Sequence, residues 1–255
     1  MVLFFVTSGE RKPLVGFLGT WASRLGSKAG LLFYEDLWGV DSLPGADTYV
    51  FTDLERLSAE ELRLAAGVAD ELAAAPWTPR ILNHPGRAVG RYDLLRTLFE
   101  RHVNPFQAYR VLDTPAPRQF PVFLRFENDH SGPASPLLRT QRELDRAVAR
   151  TYLRGDDLAS LLMVEFQDTS DEQGIFRRYT VYVIGDELIV GNLAFGSDWV
   201  VKYSGEFTAE QFAEKRAVLS SRAHDPPLRE VAELAGIAWD ASTTRSPMGG
   251  SASGS

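Results

Sequence analysis

Basic side chains stand near the ends of three separate predicted elements, where together they could neutralise an anion. Arg91 begins a predicted helix, Arg125 lies near the end of the strand in FPVFLRFENDHSGPAS, and Arg178 lies near the start of the strand in FRRYTVYVIGDELIVG. A triphosphate needs several cations that converge from different segments, because phosphoryl transfer depends mainly on positioning and charge neutralisation. A polar loop that contains glycine follows Arg125. Three basic residues on separate segments could therefore bind such an anion if the fold brings them together.

The segment LLMVEFQDT combines an apolar run with a polar end. An adenine ring requires an apolar slot beside a main-chain hydrogen-bonding edge, and a buried strand that ends in a polar hinge provides both. Mg²⁺ on the phosphates would require carboxylate oxygens opposite the cations. Alternatively, Glu165 ends a strand that simply runs into a loop, and the apolar residues before it are core residues under either interpretation.

Taken in order, these motifs resemble the ATP-grasp family over residues 83–239, which is most of the chain. The hinge followed by the basic hairpin is the most specific part of the resemblance. The resemblance implies an α/β (α+β) protein in which a small N-terminal α/β domain precedes an ATP-grasp-like domain of antiparallel sheets with flanking helices.

The resemblance also implies a role for each motif. Arg91 and Arg125 would contact the nucleotide phosphates, and residues 129–135 would form a mobile loop that closes over them. Asp168 would lie near the ribose, and Arg178, the candidate catalytic residue, would lie beside the transferring phosphate. The hinge residues that would line the adenine edge, partly through backbone N–H and C=O groups, are Glu165, Phe166 and Gln167.

In this family such sites form an acyl phosphate from a carboxylate and ATP, and an amine or thiol then captures it. The resemblance therefore implies ATP and Mg²⁺ as cofactors, and a small carboxylate and an amine as substrates. One alternative is a non-catalytic nucleotide-binding or regulatory module with the same fold. Another is an α/β protein that binds a sugar or a dinucleotide instead of ATP.

Each candidate residue also has an ordinary structural interpretation. Arg125 could be an edge-strand arginine with its guanidinium in water, and Arg91 could lie on an exposed helix turn. Arg177 and Arg178 alternate faces of one strand, so at most one points inward, and we favour Arg178. In DWVVKY a tryptophan and Lys202 could close the nucleotide pocket, but a core tryptophan and a solvated lysine explain the pattern as well.

Alternating strands and helices over residues 1–85 predict the small α/β domain with a parallel sheet. Its strands are predicted at residues 2–6, 31–37 and 48–52 and in RILNHP, and a helix begins at Ser58, where Glu61 completes a capping box. Residues 86–239 form the second domain and residues 240–255 a disordered tail.

In the second domain a helix follows Arg91, and the strands QFPVFLRFE and LASLLMVEFQD are separated by a helix that begins at Thr140. A hairpin follows, with Gly185-Asp186 as a type II′ turn because glycine provides the positive φ at its first corner. The last capped helix begins at Thr208.

Composition and charge exclude several classes of function. The net charge of −7 argues against non-specific binding to nucleic acid or to an anionic membrane. The chain has no cysteine, which excludes disulfides and thiolate sites and indicates a reducing compartment. MVLFFV is too short for a signal peptide, and no run approaches the ~20 apolar residues of a membrane span, so we expect a cytoplasmic protein.

Other site motifs are absent from the sequence. It contains neither a phosphate-binding G-x-x-x-x-G-K-[ST] nor a G-x-G-x-x-G, and GRAVG has the wrong spacing for a dinucleotide turn. The histidines are scattered, with no H-E-x-x-H pair, so no metal ligands are assigned. No G-x-S-x-G elbow supports a serine nucleophile.

The final segment departs from the family pattern. In ATP-grasp proteins the helix that corresponds to residues 228–236 leads into two strands that carry magnesium ligands, an Asp in a D-Y pattern and then Glu and Asn in an E-x-N pattern. After Trp239 this chain has one carboxylate, Asp240, and neither Glu nor Asn. We therefore expect weak ATP binding and poor turnover from the chain as given.

A frameshift would explain this ending. Suitable codons for DASTTRSPMGGSASGS, read two nucleotides later, encode RIDYAVADGRVRVWE, which contains the D-Y and E elements. Because most of these residues allow more than one third codon base, the match between the shifted frame and the family pattern is suggestive only. The frameshift is a hypothesis that sequencing of the locus would test. The alternative is a natural Gly/Ser tail or a linker.

Overall fold

The computed structural model describes residues 1–10, 15–16, 20, 28–37, 42–114, 116–129, 131–185, 187–202, 207–221 and 225–244. The chain divides into two compact units: residues 1–90 with 235–239, and residues 91–234 with 240–255. The units divide after Gly90, whereas the sequence predicts a domain boundary after Pro85. Both units mix helices and strands, which confirms the predicted fold class. Among the helices of the described ranges, none has the length and apolar character needed to cross a membrane.

The first unit is built on a parallel sheet. Its strands are β1 (Val2–Val6), β2 (Ala29–Phe33), β3 (Thr48–Phe51) and β4 (Arg80–Leu82), in the order β2-β1-β3-β4, and every adjacent pair is parallel. Parallel sheets are stable when their faces are covered, which explains the near-continuous apolar runs in these strands. Phe5 stacks on Phe51 with ring centroids 4.4 Å apart at the centre of the core.

One helix of this unit follows from a local sequence signal, and another replaces part of a predicted strand. Helix α2 (Ala59–Ala73) begins at the predicted capping box, in which Ser58 Oγ accepts from Glu61 N and Glu61 Oε2 accepts from Ser58 N at 2.8 Å. The short helix α1 (Tyr34–Leu37) corrects the predicted strand over residues 31–37. Tyr34 is buried and donates to Thr52 O at 2.8 Å, so it belongs to the core in either conformation, and its apolar neighbours do not distinguish strand from helix.

The first sheet of the second unit is antiparallel. Its strands are β5 (Ala108–Arg110), β6 (Val122–Phe126) and β7 (Leu161–Glu165), in the order β5-β7-β6. Helix α3 (Arg91–Glu100) covers one face, where Tyr92 and Leu95 pack against the cluster of Ala108, Leu162 and Val164. Helix α4 (Gln141–Leu153) covers the other face and is capped by Thr140, as predicted.

The second sheet of this unit contains the predicted hairpin. Strands β8 (Phe176–Ile184) and β9 (Glu187–Gly196) are antiparallel, and Gly185 has the expected positive φ of 58°, whereas Asp186 lies outside the described residues. Helix α5 (Ala209–Ser220) is capped by Thr208, and its Val218 packs on Tyr179, Leu193 and Phe195 of this sheet. Helix α6 (Asp225–Leu234) follows.

The chain after α6 differs from the predicted tail. Strand β10 (Trp239–Thr244) lies beside β8, giving the sheet order β10-β8-β9. Residues 240–244 therefore belong to a strand, and the predicted start of the disordered tail at residue 240 is wrong. The two threonines in ASTT favour a β-strand, but the segment has no apolar alternation that would have predicted one. The remainder of the predicted tail, residues 245–255, lies outside the described residues.

Before β10, residues 235–239 belong to the first unit. Gly236 has a φ of +67°, and a Cβ placed on it would lie 2.8 Å from the carbonyl oxygen of Arg87. Ala238 N donates to Asn83 Oδ1 at 2.9 Å, so the turn at residues 83–87 holds this segment. Position 236 therefore requires glycine for two reasons, the left-handed backbone and the close approach of a main-chain oxygen.

We predict that Gly236→Ala lowers the free energy of unfolding by about 1 kcal/mol or more, because alanine is strained at positive φ and its methyl group would collide with Arg87 O. The matched variant is Gly67→Ala on α2, where a Cβ meets no atom within 4 Å. That substitution should stabilise by about 0.4–1 kcal/mol, through helix propensity and reduced freedom of the unfolded chain. Urea unfolding measures both, and equal effects at the two positions would contradict the description of the turn.

Candidate functional site

Two of the predicted site arginines meet at the start of the loop that follows β6. Arg91, the first residue of α3, donates through Nη1 to the carbonyl oxygens of Phe126 and Asp129 at 3.2 Å each, and also to that of Glu127. Arg125 donates through Nη2 to Asp129 O at 3.3 Å. The structure thus brings Arg91 and Arg125 together at one main-chain carbonyl.

The loop itself, residues 127–134, is called the β6 loop here, and its residue 130 lies outside the described residues. Glu127 N donates to Ser160 O at 2.8 Å at the start of the loop, and Ala134 N donates to Leu124 O at 2.7 Å at its end. Leu124 N in turn donates to Ser135 Oγ at 2.9 Å. The β6 loop therefore leaves and rejoins β6, and its middle part extends between two fixed ends.

Lys202, in the segment after β9, lies beside the same loop, and Arg178 of β8 contacts Lys202. A Cβ placed on Gly132, whose φ is +114°, would lie 3.7 Å from Lys202 Cε and 4.0 Å from Lys202 Nζ. Arg178 donates through Nη2 to Lys202 O at 2.7 Å. Cations from α3, from β6 and from the segment after β9 therefore lie at one glycine-containing loop, and Arg178 of β8 contacts the last of these segments.

The neighbouring arginines of β8 have different partners. Arg177 forms ion pairs with Glu214 at 2.6 Å and with Asp171 at 2.7 Å, on the face of the sheet that α5 covers. Arg178 lies on the opposite face of the strand because side chains alternate. Its Nε is buried and has no hydrogen-bond partner among the residues that the structure describes. Carboxylates neutralise Arg177, whereas the hydrogen bond of Arg178 is to a carbonyl oxygen.

A cleft of about 560 Å³ lies beside the hinge of residues 165–168, within the range of small-molecule sites. It is called the hinge cleft here. Three residues predicted for the nucleotide site, Phe166, Gln167 and Asp168, line this cleft. Phe120 and Pro121 form another wall, and the residues that complete the lining are Gln119, Leu137, Arg139, Phe176, Ser197, Asp198 and Trp199.

Trp199 joins the two sheets at the cleft. Its ring centroid lies 4.9 Å from that of Phe123 on β6 and 5.7 Å from that of Phe166 in the hinge. Phe123 and Arg125 lie on the same face of β6 because side chains alternate. The segment from Trp199 to Lys202 therefore contacts Phe123 at one end and the β6 loop at the other, which connects the aromatic cleft to the cations.

Glu165 has a different position from the one predicted. Its side chain is 1% exposed and accepts hydrogen bonds from Gln107 N at 3.0 Å, Tyr109 Oη at 2.8 Å and Arg118 N at 2.8 Å. Its backbone N–H donates to Gln107 O, and that of Phe166 donates to Pro121 O. The Glu165 carboxylate is therefore engaged inside the sheet, because a buried carboxylate requires these donors to offset its loss of water.

Burial, and then the hydrogen bond to Glu165, raise the pKa of Tyr109 to about 12. The same carboxylate oxygen accepts from Arg118 N, the residue before the wall segment of residues 119–121. Glu165 thus connects the hinge to the opposite wall of the hinge cleft through short hydrogen bonds.

Two carboxylates line the hinge cleft. Asp168 accepts from the backbone N–H and hydroxyl of Ser170 at 3.0 and 2.7 Å, and these bonds lower the pKa of Asp168. Asp198 accepts from Val200 N at 3.0 Å. In the described ranges no three His, Asp or Glu side chains lie together as a metal site would require. Nucleotide-bound Mg²⁺ is usually held by one or two carboxylates together with phosphate oxygens, and Asp168 and Asp198 are the carboxylates of this cleft that could provide them.

Sequence reasoning missed some residues of this region. Arg139 and Asp198 line the cleft, and Arg110 and Glu127 lie at the base of the β6 loop. Arg139 directly precedes the N-cap residue Thr140, and no local signal connects it to the cleft. Nothing in the local pattern connects Arg110 to Glu127, because their contact depends on which strands pair.

Sequence comparisons give no match, either to a protein-family model or to a curated protein. Solved structures do match. The chain is similar to a RimK domain protein ATP-grasp from Sphaerobacter thermophilus DSM 20745, with 16% identity and a TM-score of 0.51 over 94% of this chain and 84% of that one. It is also similar to the macrocyclase MdnC from Microcystis aeruginosa MRC, bound with precursor peptide MdnA, with 8% identity and a TM-score of 0.51 over 95% and 86%.

A third similarity is to the L-amino acid ligase from Bacillus licheniformis, with 15% identity and a TM-score of 0.49. It covers 96% of this chain, which spans 62% of that protein's length. The chain has the ATP-grasp fold, which confirms the resemblance seen in the sequence. At these identities the similarity establishes the fold alone.

We predict that Glu165→Gln lowers the free energy of unfolding by about 2 kcal/mol. The amide presents an N–H₂ group to donors that now face a carboxylate oxygen, and hydrogen bonds to charged groups contribute about 1.5–3 kcal/mol. Glu172→Gln, at an exposed turn position, is the control and should change stability by less than about 0.5 kcal/mol. Similar denaturation midpoints for both variants would show that Glu165 does not hold the cleft walls together.

Proposed function

On this fold, we propose that the chain binds ATP with its adenine in the hinge cleft and its phosphates at the β6 loop, and that the bound ATP serves a carboxylate–amine or carboxylate–thiol ligation. One observation carries the proposal. Cations from three separate segments, Arg91, Arg125 and Lys202, lie at a single glycine-containing loop next to an aromatic cleft, and Arg178 contacts the main chain of Lys202.

The adenine side of the proposal rests on the hinge. Phe166 and Trp199 provide apolar ring surfaces, and the exposed Gln167 and Asp168 provide a polar edge after the last strand hydrogen bond, which Phe166 N donates to Pro121 O. Asp168, fixed by Ser170, presents a carboxylate to the ribose hydroxyls. Glu165 supports this arrangement from inside the sheet.

The phosphate side rests on the cations. Arg125 and Lys202 contact the phosphate oxygens, and Arg91 holds the start of the β6 loop through three carbonyl oxygens. Arg178 stabilises the charge that develops on the transferring phosphoryl group, since its guanidinium is oriented by Lys202 O and carries no ion pair among the described residues.

The reaction that this arrangement supports has two steps. A carboxylate oxygen of the acid substrate attacks the γ-phosphorus, the bond to the β–γ bridging oxygen breaks, and ADP leaves with that electron pair. The amine or thiolate then attacks the acyl carbon, inorganic phosphate leaves, and the amine loses its proton to solvent. The cations of the β6 loop stabilise the negative charge of the phosphoryl group in the first step.

A second candidate function is a nucleotide-binding module without turnover. The observation behind it is that the two carboxylates of the cleft, Asp168 and Asp198, each accept a hydrogen bond from a neighbouring backbone N–H. ATP binding and ADP release, each measured with and without Mg²⁺ in the presence of candidate acids and hydroxylamine, separate the two functions. Metal-dependent hydroxamate formation supports the ligase, and metal-indifferent binding without product supports the module.

For binding itself, we predict that affinity decreases in the order ATP, ADP, AMP, adenosine, because each phosphate removed loses contacts with the cations. Arg125→Ala should weaken ATP binding by about 10- to 100-fold, as expected for the loss of hydrogen bonds between charged groups, and should leave adenosine binding unchanged within about twofold. Isothermal titration calorimetry measures both ligands.

The matched control for this experiment is Arg146→Ala, which removes the same charge from an exposed position of α4. It should leave both affinities unchanged, apart from a small general effect of net charge. If the wild-type chain binds ATP no better than adenosine, or if both arginine variants lose ATP affinity equally, the assignment of the phosphate site is wrong.

A further inference from the structure

Glu127 lies at the point where β6 ends and the β6 loop begins. Its side chain is 12% exposed, and its two carboxylate oxygens have different partners. Oε1 accepts from the backbone N–H of Tyr92 at 3.1 Å, in the first turn of α3, and Oε2 accepts from Arg110 Nη1 at 2.9 Å, on β5. One carboxylate therefore joins α3 and β5 to the start of the loop.

Arg110 is itself fixed from two other sides. Its guanidinium carbon lies 4.4 Å from the ring centroid of Tyr92, a cation–π contact with the residue whose N–H binds Glu127. Its Nη1 also approaches Ala159 O at 3.4 Å, next to Ser160, whose carbonyl accepts from Glu127 N. Arg110, Tyr92 and Glu127 form a closed triangle of contacts, which we call the loop latch.

The same helix turn adds Arg91, which binds the carbonyl oxygens of the first loop residues. The phosphate contact of Arg91 stays a prediction, and these bonds attach its guanidinium to the loop beside the loop latch. Side chain and backbone of one turn of α3 thus hold the start of the β6 loop, while Ala134 and Ser135 hold its end.

We propose that Glu127 and Arg110 are positioning residues for the phosphate site, and that the loop latch keeps the β6 loop ordered against Arg125 and Lys202 before the nucleotide arrives. The proposal rests on the proposed function, because it concerns the same phosphates. Neither residue touches the nucleotide. Their effect passes through the loop, whose ordering would otherwise be a cost of binding the phosphates.

ATP and adenosine differ in whether their binding requires the β6 loop. Adenosine occupies the hinge cleft and does not require the β6 loop, whereas ATP requires the loop in place beside its phosphates. Loss of the loop latch therefore weakens ATP binding and leaves adenosine binding unchanged. A merely structural role for Glu127 in the second unit would weaken both ligands alike.

The test uses the full chain with Glu127→Ala and, as the milder change, Glu127→Gln, which keeps an acceptor for Tyr92 N but removes the charge that pairs with Arg110. We expect about a tenfold loss of ATP affinity in Glu127→Ala, a smaller loss in Glu127→Gln, and less than a twofold change for adenosine in both. Glu71→Ala, an exposed acid on α2, is the charge control and should change neither affinity. Circular dichroism confirms folding of each variant.

If the Glu127 variants do not fold, Arg110→Met tests the loop latch independently. The single variant should show the same selective loss of ATP affinity, and the double variant with Glu127→Gln should lose little more, because both act through one latch. Equal losses for ATP and adenosine, or additive losses in the double variant, overturn the proposal.

The outcome for the wild-type chain separates the two proposals. If it binds ATP in preference to adenosine, the ratio of ATP affinity to adenosine affinity in the variants tests the proposed role of the loop latch. If it does not, the proposed function fails, and hydrogen exchange of the backbone amides in residues 131–135 decides the latch. Faster exchange in Glu127→Ala than in Glu71→Ala supports it, and unchanged exchange overturns it.

Discussion

The site depends on hydrogen bonds between guanidinium groups and main-chain carbonyl oxygens, which orient the cations. Arg91 and Arg125 share Asp129 O, and Arg178 is oriented by Lys202 O. The adjacent Arg177 shows the contrast, since Asp171 and Glu214 neutralise it. On one strand, therefore, one arginine stabilises the packing of α5 and the next remains available to an anionic ligand.

Two buried or nearly buried carboxylates hold backbone segments of the site in place. Glu165 joins β5, the hinge and the wall at residue 118, and Glu127 joins β5, α3 and the β6 loop. Each satisfies donors from segments that are distant in sequence, which a carboxylate can do because it offers two oxygens and about four acceptor positions. The hinge cleft and the β6 loop are consequently attached to the same three-stranded sheet, so a nucleotide that spans both would bind a preorganised frame.

Much of the fold could be predicted from local signals. The capping boxes at Ser58 and Thr208 and the hairpin at Gly185 depend on neighbouring residues. The alternation of strands and helices indicated the parallel N-terminal sheet, and the order of the motifs indicated the ATP-grasp fold. The polar strand β10 was missed because its pairing with β8 is a long-range contact. The side-chain position of Glu165 was unpredictable for the same reason, since its donors belong to residues 107–118. The contact of Arg110 with Glu127 likewise arises only when β5 and β6 pair with β7.

The most direct test of a nucleotide that spans the hinge cleft and the β6 loop is photolabelling with 8-azido-ATP, followed by mass spectrometry of the proteolysed chain. The reactive group is on the purine ring, so the account predicts label on peptides that contain Phe166 to Asp168 or Trp199. Excess ATP should prevent the labelling, and Arg125→Ala should reduce it at a fixed probe concentration. Label that concentrates on residues 1–90, or that persists unchanged with excess ATP, would contradict the account.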